Sequence, residues 1–115
     1  MKAIQDHTSW KIRIQSLVNK DDLGSVNLYE ISSDEHCELG KWILSMDKKI
    51  GHTYALSRLR NFHREFHKAA GEAVELAQEG DMKKAKAIIN GEYSRLSREV
   101  VNSLLAMGKR THHSD

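Results

Sequence analysis

Apolar side chains in this 115-residue chain return every three or four positions, in four separate runs. In the first, Ala3, His7, Trp10, Ile14 and Leu17 step by four and three in turn, which predicts a helix showing one seam to a bundle, with a histidine inside that seam. The period fails over residues 20–33, "KDDLGSVNLYEISS", where Gly24 and several turn-formers predict a connection with a short extended or helical piece around Val26–Tyr29. Ser32 followed by Glu35 reads as a capping box for a short second helix, about Asp34–Lys48, with Leu39, Trp42, Ile43 and Met46 inward and Gly51 closing it. A third helix is predicted from about His52 to Gln78, carrying Leu56, Leu59, His63, Phe66, Ala70, Ala73 and Ala77, with Gly80 as its stop. The fourth opens at the N-cap Asp81 and places Met82, Ala85, Ile89, Leu96, Val100, Leu104 and Met107 inward as far as about Gly108, with Asn90-Gly91 as an interruption. The expectation is an all-α, antiparallel four-helix-type bundle with a short second helix. It forms one domain over residues 1–110, with a frayed tail over 111–115.

Composition narrows the function classes. The chain has no proline, 6% aromatics and 30% charged residues, which suits a compact helical protein. Net charge is +2, and Lys and Arg alternate with Asp and Glu, so no basic groove for nucleic acid is expected. No apolar run reaches the roughly 20 residues that span a bilayer, and the start "MKAIQDHTSW" is too polar for a signal-peptide core. A cytoplasmic location without membrane contact is expected. The single cysteine excludes an internal disulfide, leaving Cys37 as an inert buried thiol, a reactive thiol or a metal ligand.

His63 and His67, in "HREFH", leave one helix face a turn apart and can bite one metal ion. A zinc peptidase would need a glutamate directly after the first histidine or directly before the second, where this chain has Arg64 and Phe66; Glu65 points away from the pair. His7 adds a third imidazole in an apolar seam. Cys37 adds a thiol in the first turns of a helix, where the helix dipole favours the thiolate that binds zinc. Taken singly, each has an ordinary reading: a core histidine with its hydrogen bonds satisfied, or an inert buried cysteine. Together, one thiolate and three imidazoles make a complete tetrahedral set on helices that share a seam. Gly40, three after Cys37, leaves a gap through which a neighbouring helix could approach the thiol.

These residues show a resemblance. His7-Thr8-Ser9-Trp10, then "CELGKW" from Cys37 to Trp42, then His63-x-x-Phe66-His67, resemble the chemoreceptor zinc-binding domain family, with Trp10, Gly40, Trp42 and Phe66 as supporting positions. The resemblance implies a bundle in which His7, Cys37, His63 and His67 hold one Zn2+. It also implies a cytoplasmic sensory module attached to a signalling output domain, of chemotaxis receptor or diguanylate cyclase type, that responds to zinc or to oxidants such as hypochlorous acid through Cys37 as a redox switch. Homodimerisation is common in such domains; Ile88, Val101 and Leu105 widen the fourth helix's apolar stripe and are the expected contacts. The direct opening into a helix fits a domain cut from a longer receptor. The expected role is sensory, with no catalytic residue. Two other readings stay open: a hydrolytic zinc enzyme with a three-histidine site, Cys37 as a labile ligand and Asp6 as the nearby candidate base, and a metal-free helical interaction module. His36, His52, His112 and His113 are expected to stand outside the site.

Overall fold

The computed structural model describes residues 2–19, 31–34, 37–51 and 53–113. Its elements are α1 (Lys2–Asn19), α2 (Glu38–Ile50), α3 (Tyr54–Gln78), α4 (Met82–Ile88), a π turn (Ile89–Tyr93) and α5 (Ser94–His113). The architecture is an all-α bundle, 50 × 22 × 20 Å, in which α4, the π turn and α5 together supply the fourth helical segment. The connection around Val26–Tyr29, and Glu35 of the expected capping box, lie outside the described residues.

The expected seams close onto one core. On α1, Ala3, His7, Ile14 and Val18 are buried, whereas Trp10 and Leu17 are half-buried. Val18 takes the place expected of Leu17, because a helix of 3.6 residues per turn advances its seam slightly with each turn. Thr53 opens α3, its Oγ1 accepting the Leu56 N–H at 3.1 Å, and α3 buries Leu56, Leu59 and Phe66 followed by Ala69, Ala70, Gly71, Ala73, Val74 and Ala77. Asp81 caps α4 as expected, with Oδ1 accepting the Lys84 N–H at 3.2 Å. Gly80, at φ +91°, lets the chain reverse between α3 and α4 in a conformation that side chains disfavour.

Two boundaries differ from the sequence expectation. The second helix starts at Glu38, not near Asp34, and Cys37 is its N-cap, extended at φ −89° and ψ 164°. The interruption at Asn90-Gly91 is a π turn that accommodates one extra residue rather than a break. It delivers Tyr93 into the core, where the ring stacks on Phe66 at 4.6 Å and the hydroxyl donates to the Lys11 carbonyl of α1 at 2.8 Å. The helical backbone of α5 continues through His113.

Candidate metal centre

Cys37, His63 and His67 come together where the start of α2 meets the middle of α3. The Sγ of Cys37 lies 3.2 Å from Nε2 of His63 and 3.3 Å from Nε2 of His67, and the three ligand atoms fall within 4.8 Å of one another. The two histidines point the same way because they are one turn apart, and their rings meet edge to face at 4.5 Å. The sulfur is fixed from its own side as well. It accepts the Gly40 N–H at 3.3 Å and lies 3.8 Å from the Asp34 carbonyl.

His67 is oriented by its other ring nitrogen. Nδ1–H donates to the Ile31 carbonyl at 2.8 Å, so in the neutral ring Nε2 carries the lone pair and faces the sulfur. A tie of this kind accompanies most metal-bound histidines. Gly71 makes it possible: a Cβ there would run into the Ser32 side chain, so glycine lets the Ile31–Ser32 turn lie against α3. Trp10 covers His67 at 4.3 Å between ring centroids, and Phe66 sits among His7, Trp10, His67 and Tyr93. Trp10 and Phe66 thus form a dry wall beside the centre, while Trp42 is half-buried and packs against the general core.

Burial holds the imidazoles neutral. His63 is pushed down to about 2 and His7 to about 4, chiefly because a charged ring would lose its hydration and secondarily by neighbouring histidines; His67 is lowered as well, by burial. The thiol responds in the opposite sense. Burial raises the pKa of Cys37, outweighing the Gly40 and Leu39 N–H groups that favour its thiolate. The helix start assists the thiolate, but a nearby cation is needed to make it the resting form. His63 Nδ1 is buried without a hydrogen-bond partner among the described residues. Such a group costs about 1–3 kcal/mol.

His7 stands apart from this trio. It is buried beside Phe66, at 4.7 Å between rings, and Nε2 lies 2.9 Å from Oγ of Ser97 on α5. Among the described residues, the group able to hold a metal contains Cys37, His63 and His67, without His7. Asp6 is half-buried on α1 and is likewise not in the group, and Glu65 is exposed. His36 and His52, and the side chains of His112 and His113, lie outside the described residues.

The family profile of the chemoreceptor zinc-binding domain matches residues 7–74, from His7 past His67. The chain belongs to that family. No curated protein and no solved structure matches it. The donor set fits zinc: a sulfur and two Nε2 atoms converge, and one imidazole is already oriented through its far nitrogen. Sequence reasoning missed two contacts of this chemoreceptor zinc-binding domain, the Ile31 carbonyl and Ser97. The second had a signal, since Ser97 is a polar side chain on the buried stripe between Leu96 and Val100. No helix among the described residues is long and apolar enough to cross a membrane.

Proposed function

We propose that this chain is a zinc-binding sensory module of a cytoplasmic signalling protein. It reports zinc or oxidants to an attached output domain, such as a chemotaxis receptor signalling domain or a diguanylate cyclase, and performs no catalysis itself. His7, Cys37, His63 and His67 would hold the ion. Four protein donors leave no place for a reactive water, the hallmark of a structural zinc site. When bound, zinc supplies a cross-link among α1, α2 and α3 and the positive charge that favours the Cys37 thiolate.

One observation carries the reading: Cys37 Sγ belongs both to the ligand cluster and to the N-cap of α2. Anything that changes the sulfur changes the start of α2. Cys37 is half-buried rather than sealed in the core, so a small oxidant has a route to it. With hypochlorous acid, the thiolate sulfur gives up two electrons, gains the S–OH oxygen and releases chloride. The resulting sulfenic sulfur is a weaker ligand for the metal and a weaker acceptor for the Gly40 N–H at the cap. These 115 residues hold no second cysteine to trap it as a disulfide, so a thiol from outside them has to reset the switch. Loosening of α2 is the output. A homodimer is part of the proposal: Leu105 is 50% exposed, with Ile88 and Val101 half-buried on the same fourth segment.

Metal analysis after chelator-free purification should give close to one zinc per chain, and light scattering a dimer mass. Wild type and Cys37→Ala are then treated with limiting hypochlorous acid, following a sulfenate-trapping label, helix content and zinc release. Wild type should take the label and release zinc. Oxidation of Met46, Met82 or Met107 ahead of Cys37, or the same response from both proteins, would remove the redox switch and leave zinc sensing.

A further inference from the structure

Two histidines near the metal centre have one ring nitrogen already occupied, and the occupied nitrogens differ. His67 spends Nδ1 on the Ile31 carbonyl and turns Nε2 to Cys37. His7 spends Nε2 on Ser97 Oγ at 2.9 Å. Both members of the His7–Ser97 pair are 3% exposed, so water does not substitute for either partner. Ser97 lies on α5, beyond the residues 7–74 that the family profile covers.

We infer that Ser97 is the positioning residue of His7: it accepts the Nε2–H, fixes that tautomer and leaves Nδ1 as the atom His7 offers to zinc, while His63 and His67 offer Nε2. The inference rests on the zinc reading above. Its physical basis is the cost of the alternative. If His7 gave Nε2 to the metal, the buried Ser97 hydroxyl would lose its imidazole partner, and a stranded buried polar group is expensive. A neutral imidazole carries one N–H, so a ring that donates from Nε2 keeps its lone pair on Nδ1.

The arrangement ties α5 to the metal centre through one imidazole, with Ser97 at one nitrogen and the ion at the other. The bond from the Tyr93 hydroxyl to the Lys11 carbonyl joins α1 to the π turn that leads into α5. Both contacts join residues more than 80 positions apart. Helix α5 thereby gains a mechanical connection to a site whose trio lies on α3 and at the cap of α2.

The test is nitrogen NMR on the 15N-labelled, zinc-loaded protein, together with zinc affinity measured by chelator competition. The expected spectrum has His7 protonated at Nε2 and metal-bound at Nδ1, with His63 and His67 bound through Nε2. Ser97→Ala should lower zinc affinity about ten-fold or more, the usual scale for an outer-shell partner. Ser97→Thr, which keeps the hydroxyl, should restore most of it. Zinc bound with His7 ligating through Nε2, or with His7 not ligating, overturns the inference while leaving the zinc reading intact. So does Ser97→Ala that folds like wild type and binds zinc equally well or more tightly. Should Ser97→Ala fail to fold, the wild-type spectrum decides alone. A wild-type protein that takes up no zinc sinks both readings.

Discussion

The turns of α3 from His63 to His67 and from Ala69 to Ala77 are buried to a similar depth, yet one is built of rings with polar nitrogens and the other mainly of methyl groups. The Ala69, Ala70, Gly71, Ala73 and Ala77 stretch lets neighbouring segments come close, and dispersion and apolar burial hold it whatever is bound elsewhere. The histidine stretch has no such independence. His63 Nδ1 is unpartnered among the described residues, the imidazoles resist charging, and the sulfur that caps α2 prefers its proton without a cation. One stretch is held by apolar packing alone. The other buries polar donors that converge on one point, and a domain divided in this way can respond locally without unfolding throughout.

Removing the metal is the strongest way to break this contrast. Structural zinc contributes on the order of 10 kcal/mol to the folding of small domains, so chelation should strip amide protection from α2 first and from α3 near His63 next. Amides from Ala69 to Ala77 should keep theirs. Uniform loss of protection along α3, measured by hydrogen exchange, would show that the two ends are one cooperative unit. His67→Ala, which deletes a ligand and the bond to the Ile31 carbonyl, should act in the same direction by about 3 kcal/mol in the zinc-loaded protein.

Acid probes the same end. In the unfolded chain a histidine takes its proton near 6.5; in the folded, metal-free protein His7 stays neutral to about 4 and His63 to about 2. The unfolded state therefore binds more protons below pH 6.5, and stability falls as the pH drops from there. His7 alone accounts for about 3 kcal/mol by pH 4. Urea titrations of metal-free wild type and His7→Gln should show the variant losing less stability between pH 6.5 and 4; parallel curves would refute the assignment.

The methyl end should behave oppositely. Val74 is fully buried, and Val74→Ala should cost about 2 kcal/mol equally with and without zinc. A cost that depends on metal would mean the ends communicate through packing. The smallest expected effect comes from Gly71→Ala. The added methyl gains up to about 1 kcal/mol of helix propensity but displaces the Ser32 side chain, and with it the turn that supplies the Ile31 carbonyl. Stability should change little while zinc affinity falls a few-fold, read by chelator competition.

How much of this was legible in the sequence depended on distance along the chain. Regular spacing revealed the helices, the paired imidazoles of His63 and His67, and the interruption at Asn90-Gly91, because each is a local pattern. The start of α2 was misplaced, since Ser32 has the ordinary chemistry of a cap and Cys37 does not, yet the Cys37 sulfur takes that role while facing the histidines of α3. The Ile31 carbonyl lies 36 positions from His67, and Ser97 lies 90 from His7. A backbone acceptor has no residue type to betray it. A lone serine in an apolar stripe marks a buried partner without saying which.

The π turn at Ile89–Tyr93 bears on how this chain could change length. Such a turn holds one residue more than an α-helix closes over, yet delivers the following helix in phase with the preceding one. Asn90 and Gly91 are exposed, and a Cβ on Gly91 would meet nothing. Losing one residue here would relax the turn to ordinary helix and leave Ser97 and Val100 facing inward. The same loss a few residues later would swing everything beyond it by about 100° and turn the stripe to solvent. The bulge is a slack link, a place where a deletion could pass through the lineage of this helix without being felt by α1 or by the metal centre.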